Sequence, residues 1–403
     1  EEIVFTCHLD HPRPGANDNA SGCVSILEAA RTIKKLIDEG RIAQPRRTLR
    51  FIWPAEIEGT LIYLNADANA ADRIKANIHM DMVGGNENTK AVFRVSGGPE
   101  SLPHFISDLG HEIGEFVNAQ SEIHASGGDT AFHLTAPEGG KEAQRAMMEG
   151  ISLGSDHQVF NEGSWRIPGI YLHDWPDRYI HTNFDTTANI DPTKLKRAAF
   201  IGLATALYLA DMDDDDAPDM AALLRRNAFS RMAALEERLA SAAEADRAVI
   251  ARVHWRREHD KIESISDFAV LTDEERAEAH AFVDRLSALA LTDVGDAPAS
   301  NSIIYARSPE IKGPMSAFGY SYLSDQLGDE AASLTLLSHS GRDIDGRSIG
   351  GGMFAYEALN LINGARTTKD IRDWLTATLA PLPQSAVDEY LTALERIAIR
   401  VVE

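Results

Sequence analysis

Cysteine is scarce: 403 residues hold two, Cys7 and Cys23. Two thiols so placed build neither a disulfide framework nor a zinc-finger pattern. They read as small buried hydrophobes and fit a reducing, cytoplasmic compartment better than an oxidising one. No run of roughly 18 apolar residues occurs, so no membrane-spanning helix is expected. Positive charge is short as well, with 39 Lys+Arg against 62 Asp+Glu and a formal net charge of -23. Phosphate binding needs a basic surface, so nucleic acid is not expected as a partner. There are no internal repeats.

What is present is alternation. Ile3–Cys7 reads as a buried strand, and Ser21–Ile37 as a helix with Val24, Leu27, Ile33 and Leu36 on one stripe. Thr48–Trp53, Ala76–Val83 and Gly169–His173 read as further strands, and Pro192–Ala210 as a closing helix. This order predicts an α/β domain over residues 1–210, a mostly parallel mixed sheet covered by helices. A central strand directly after Glu1-Glu2 leads us to expect further residues before it in the natural protein, with room for a signal peptide.

Residues 211–219 (DMDDDDAPD) carry clustered like charge and are expected as an exposed acidic linker. Residues 220–340 read as a helical region, with long helices over Met220–His259 and Asp267–Ala290. In residues 341–403, three short helices precede a strand, Ile397–Val402. The helices are Tyr356–Ile362, closed by Asn363-Gly364, then Thr368–Leu379, then Ser385–Arg396 with Ser385 and Asp388 as a capping box. That order suggests a winged-helix-like module. Its seven Lys+Arg against nine Asp+Glu favour packing, or self-association into a homo-oligomer, over DNA binding.

Chemistry-bearing residues gather at the predicted strand ends. His8 and Asp10 close the first strand on the same side, where a carboxylate can hold an imidazole in the tautomer a metal needs. Asp18 stands at a helix start and, alone, would read as a helix cap. Glu56 follows the second strand, Asp81 ends the third, and His181 follows the strand at 169–173. Two histidines and several carboxylates at one sheet edge suit zinc. Cobalt and manganese are open to the same donors. His11 reads as a loop residue near the cleft, His79 and His173 as core histidines, and residues 124–129 as a loop.

The segments HLDHPRPGANDNASG, FIWPAEIEG, IHMDMVGG, SDHQVF, IPGIYL and YIHTNFDT occur in the order seen in zinc aminopeptidases of metallopeptidase clan MH. That clan also includes glutaminyl cyclases and glutamate carboxypeptidases, and the resemblance covers roughly residues 1–210. It implies a first zinc on His8 and Asp81, with Asp18 bridging to a second on His181. It further implies that Asp10 orients His8 and that Glu56 is the general base towards the attacking water. Asp156 and His157 would lie beside the substrate, and Asp185 would support the His181 loop. One position departs from the family. Two adjacent glutamates are usual, but the chain reads Glu56-Ile57-Glu58, and Ile57 cannot coordinate. Glu58 replaces the missing ligand only if the backbone stays extended; alternatively it is the base itself. One zinc or two therefore stays open. The segment YEALNLINGARTTKDIRDWL resembles a C-terminal extension of some bacterial members. The resemblance implies removal of N-terminal residues from peptides. The alternatives are a glutaminyl cyclase-like acyltransferase with one zinc and one carboxylate, and a non-catalytic binding or assembly relative.

Overall fold

A computed structural model describes residues 1–290 and 303–402. Residues 291–302, inside the expected helical region 220–340, and Glu403, at the end of 341–403, lie outside the described residues. The chain forms two compact units that part at Asp213 and Asp214.

The first unit comprises Glu1–Gly98, Ile106–Asn161 and Ile167–Asp213. Its strands are β1 (Glu2–Thr6), β2 (Thr48–Ile52), β3 (Ile74–Asp81), β4 (Phe93–Ser96), β5 (Met147–Glu149) and β6 (Gly169–Asp174). They form one sheet in the order β2-β1-β3-β6-β4-β5. Every pairing is parallel except β4 with β6. The helices are α1 (Gly22–Asp38), α2 (Glu58–Ala66), α3 (Ala70–Arg73), α4 (Phe105–Ala125), α5 (His157–Phe160) and α6 (Pro192–Asp211). Ile3, Val4 and Phe5 are fully buried, as befits a strand covered on both faces. The buried face of α1 is Cys23, Ile26, Ala29 and Ile33, whereas Val24 and Leu27 are exposed. The expected stripe is therefore rotated, because the small residues Gly22, Ser25 and Ala29 let the helix sit close to the sheet.

The second unit comprises Pro99–Phe105, Glu162–Arg166 and Asp214–Glu403. Three long helices, α7 (Ala217–Ser241), α8 (Glu244–Glu263) and α9 (Asp273–Leu289), lead it. The acidic stretch is mostly structured. Asp211 ends α6, Asp214–Asp216 form a turn, and Ala217-Pro218 begin α7. Short helices follow, α10 (Tyr322–Leu327), α11 (Asp329–Ser333) and α12 (Thr335–Ser338), then α13 (Gly351–Leu361), α14 (Thr368–Thr378) and α15 (Gln384–Glu395). A hairpin, 340–342 with 348–350, precedes α13, and the strand 399–401 pairs with 305–307, outside the 341–403 segment. Ser385 caps nothing: α15 starts after Pro383, while the capping boxes are Thr367 with Asp370 and Thr272 with Glu275. No described helix is long and apolar enough to cross a membrane.

Candidate metal centre

Parallel strands carry their following loops to one sheet end, and there the candidate donors of the first unit converge. The chain leaves β1 through Cys7 to His8, which is 3% exposed. His8 Nδ1 lies 2.9 Å from the Asp10 carbonyl oxygen. A carbonyl only accepts, so Nδ1 carries a proton and Nε2 is the nitrogen left to meet a proton or a cation. That Nε2 faces Asp18 Oδ1 at 3.3 Å and Asp81 Oδ1 at 3.4 Å. The orienting group is thus the Asp10 main chain; its carboxylate stays 3.8 Å from Nδ1 and instead accepts the Glu56 N–H at 2.8 Å.

Asp18 is presented by a braced turn. The Asp185 carboxylate accepts the N–H groups of Asn17 and Asp18 at 2.7 and 3.0 Å. Asn17 Oδ1 accepts the Gly84 N–H at 2.9 Å. Asn19 accepts the Gly22 N–H at 3.0 Å and donates to the Met80 carbonyl at 3.2 Å. The turn therefore ties the end of β3 to the His181 loop. The peptide between Asp18 and Asn19 is cis.

Glu56 brings a ligand atom within 4.8 Å of those of His8 and Asp81. Ile57 behind it has φ 57° and Met82 behind Asp81 has φ 60°, while His181 itself has φ 58°. Non-glycine residues rarely hold such angles, and a β-branched one least of all; strain of this kind concentrates at functional sites. Glu58 is the first residue of α2, exposed and outside the two groups of clustered donors. The helix start at position 58 breaks the extended backbone that a substitute ligand would need.

The electrostatics reflect crowding of carboxylates around one imidazole. Burial disfavours a charged His8, but Asp18 and Asp81 outweigh it and push His8 up to about 12. Burial, with the charges of Asp81, Asp156 and Asp18, pushes Glu56 up to about 8 against the pull of His8. Burial also opposes ionisation of Asp18, yet His8, His11 and His181 hold it below the usual carboxylate range. Asp81 Oδ1 is buried with no hydrogen-bond partner. A buried lone pair facing unpaired carboxylate oxygen is unfavourable unless a proton or a cation lies between them. One imidazole with three carboxylates in reach has the donor chemistry of a zinc site.

Asp156 and His157 are buried at 0% and 1% exposure. Asp156 Oδ1 accepts the Ile57 N–H and the Thr60 hydroxyl, both at 2.7 Å, so it clamps the turn that carries Glu56. His157 bonds the Ser152 carbonyl and stacks on Tyr171 at 4.0 Å.

A second group adjoins the first. His11, Asp18 and His181 offer ligand atoms within 4.8 Å of one another, and both Nε2 atoms lie 3.0 Å from Asp18 Oδ2. His11, expected as a loop residue near the cleft, is thus brought onto Asp18 itself. Its signal is the His8-x-x-His11 spacing ahead of Pro12 and Pro14, which stiffen the loop.

The model of Peptidase family M28 matches residues 1–206. A protein of Arthroderma otae named "Probable leucine aminopeptidase" is 33% identical over 120 residues, 28% of this chain and 29% of its own length. Leucine aminopeptidase 1 of Pyrenophora tritici-repentis is 27% identical over 204 residues, 49% of this chain and 47% of its own. The solved aminopeptidase from Aneurinibacillus sp. strain AM-1 matches at 25% identity and a TM-score of 0.37, over 52% of this chain and 43% of that one. The chain thus spans less than half the length of these relatives.

Proposed function

The chain belongs to peptidase family M28, and from that premise we propose that it is a zinc-dependent aminopeptidase, removing residues from the free N-terminus of peptides. The observation that carries the reading is His8 Nε2 held between Asp18 and Asp81, with Asp81 Oδ1 buried and unpartnered.

His8, Asp81 and Asp18 would hold the zinc. Bound there, zinc supplies Lewis acidity, lowering the pKa of a water to about 7 and polarising a carbonyl oxygen. The chain's own residues do the rest. The Asp10 carbonyl keeps the His8 proton on Nδ1, and Asp185 holds the Asp18 turn rigid. The Glu56 carboxylate, fixed through its N–H by Asp10, takes the proton of the attacking water and returns it to the departing amine. Burial suits that role, because a base works best with a pKa near the working pH.

The test is incubation with a mixed peptide library, free or N-acetylated, read by mass spectrometry with and without chelator. Loss of single N-terminal residues from free peptides only, abolished by chelator, is the expected result. No cleavage with zinc supplied would overturn the reading, and ammonia release from N-terminal glutamine would make the protein a cyclase.

A further inference from the structure

We infer that, where a glutamate is usual, this chain uses His11 to build a second cation position, composed of His11 Nε2, Asp18 Oδ2 and His181 Nε2. The inference rests on the M28 reading and deepens it. Ile57 occupies the position of the missing glutamate; it is 1% exposed, apolar, and anchored through its N–H to Asp156. Glu58 is turned into α2. No carboxylate from this turn joins the second group.

The opposite loop supplies the missing donor. His11 Nδ1 lies 2.5 Å from the Arg13 carbonyl oxygen and 3.3 Å from the Arg13 N–H. The shorter contact sets the tautomer: Nδ1 donates to the carbonyl, and Nε2 keeps a lone pair. That lone pair is aimed at Asp18 Oδ2 from 3.0 Å, and His181 Nε2 approaches the same oxygen from 3.0 Å. Asp18 uses its other oxygen for His8, so its carboxylate bridges both groups as a two-ion centre requires.

Exchanging a carboxylate for an imidazole changes the ligand class. Two nitrogens and one oxygen suit zinc or cobalt, whereas the hard ions manganese and magnesium prefer oxygen-rich sets. The second position should therefore favour zinc over manganese.

The test is metal stoichiometry of the full chain after chelator treatment. Zinc is returned by equilibrium dialysis and counted by elemental analysis, for the wild type and His11→Ala. Zinc-edge X-ray absorption of the loaded wild type counts imidazoles without relying on the variant's folding. The expected result is about two zinc ions per wild-type chain, about one in His11→Ala, and three imidazoles shared between the two ions. One ion in both proteins, or two in both, would overturn the inference and leave the M28 zinc reading standing. Two imidazoles over two ions would also overturn it. No zinc in either protein would sink both.

Discussion

Main-chain bonds aim Glu56: its N–H is held by Asp10, and Ile57 behind it is bent to φ 57°. A change confined to the carboxylate should therefore leave the site's shape intact. Glu56→Gln is expected to lower turnover by roughly 10²–10⁴-fold, while elemental analysis finds the zinc content unchanged. Turnover close to wild type would remove Glu56 as the base. Asp185 acts one step further out, accepting two N–H groups that fix the turn bearing Asp18. Asp185→Ala should weaken zinc binding by about 10–100-fold, read by competition against a chromophoric chelator, with peptide KM moving far less. At this scale His8, Asp81 and Glu56 stand out because each ends or follows an apolar run, whereas Asp18, in a polar turn at a helix start, is legible only in their company. His11 is legible only as a loop residue near the cleft, because its partner Asp18 is reached through a turn whose shape depends on the distant Asp185.

At the scale of elements, burial decided what could be read. β1 carries the apolar run Ile3–Phe5 and β3 alternates apolar with polar residues, Ile74, Ala76, Ile78 and Met80 against Lys75, Asn77, His79 and Asp81, so both announce themselves. β4 and β5 are four and three residues long, too short for a periodic signal, and α4 went unread because Gly110 and Gly114 interrupt its pattern. α1 lies where the sequence predicts it but turns a different face inward, since its close approach to β3 is made by glycine and not by a large apolar residue. A Cβ on Gly22 would lie 2.2 Å from the Met80 carbonyl oxygen, so backbone must shift to admit it. Gly22→Ala should destabilise the first unit by about 1–3 kcal/mol or more and, since Met80 precedes Asp81 in β3, weaken zinc binding as well. A urea midpoint equal to wild type would show that α1 can slide without disturbing the strand.

Across the whole molecule, acid response should depend on histidines that fold away neutral. Burial drives His79 well below the usual histidine range, His157 down to about 3 and His173 down, all in the first unit. In the second unit burial lowers His254 to about 4. Such a group is protonated in the unfolded chain below pH about 6.5 but not in the folded one. Its stability contribution is therefore complete above that pH and falls by about 1.4 kcal/mol per unit as pH drops towards the folded value. Buried acids work the other way: Asp156, raised to about 6 by burial, and Glu357, raised to about 7 by burial, keep protons that the unfolded chain has lost. The net curve mixes both signs, so the informative quantity is a difference between two proteins. His157→Gln retains a donor for the Ser152 carbonyl but binds no proton. Its deficit against wild type at pH 7.5 should shrink by about 2–3 kcal/mol at pH 4.5, read by hydrogen exchange at β6, which samples the first unit alone. A deficit constant with pH would mean that His157 is protonated in the folded state, and that the stack on Tyr171 holds an imidazolium.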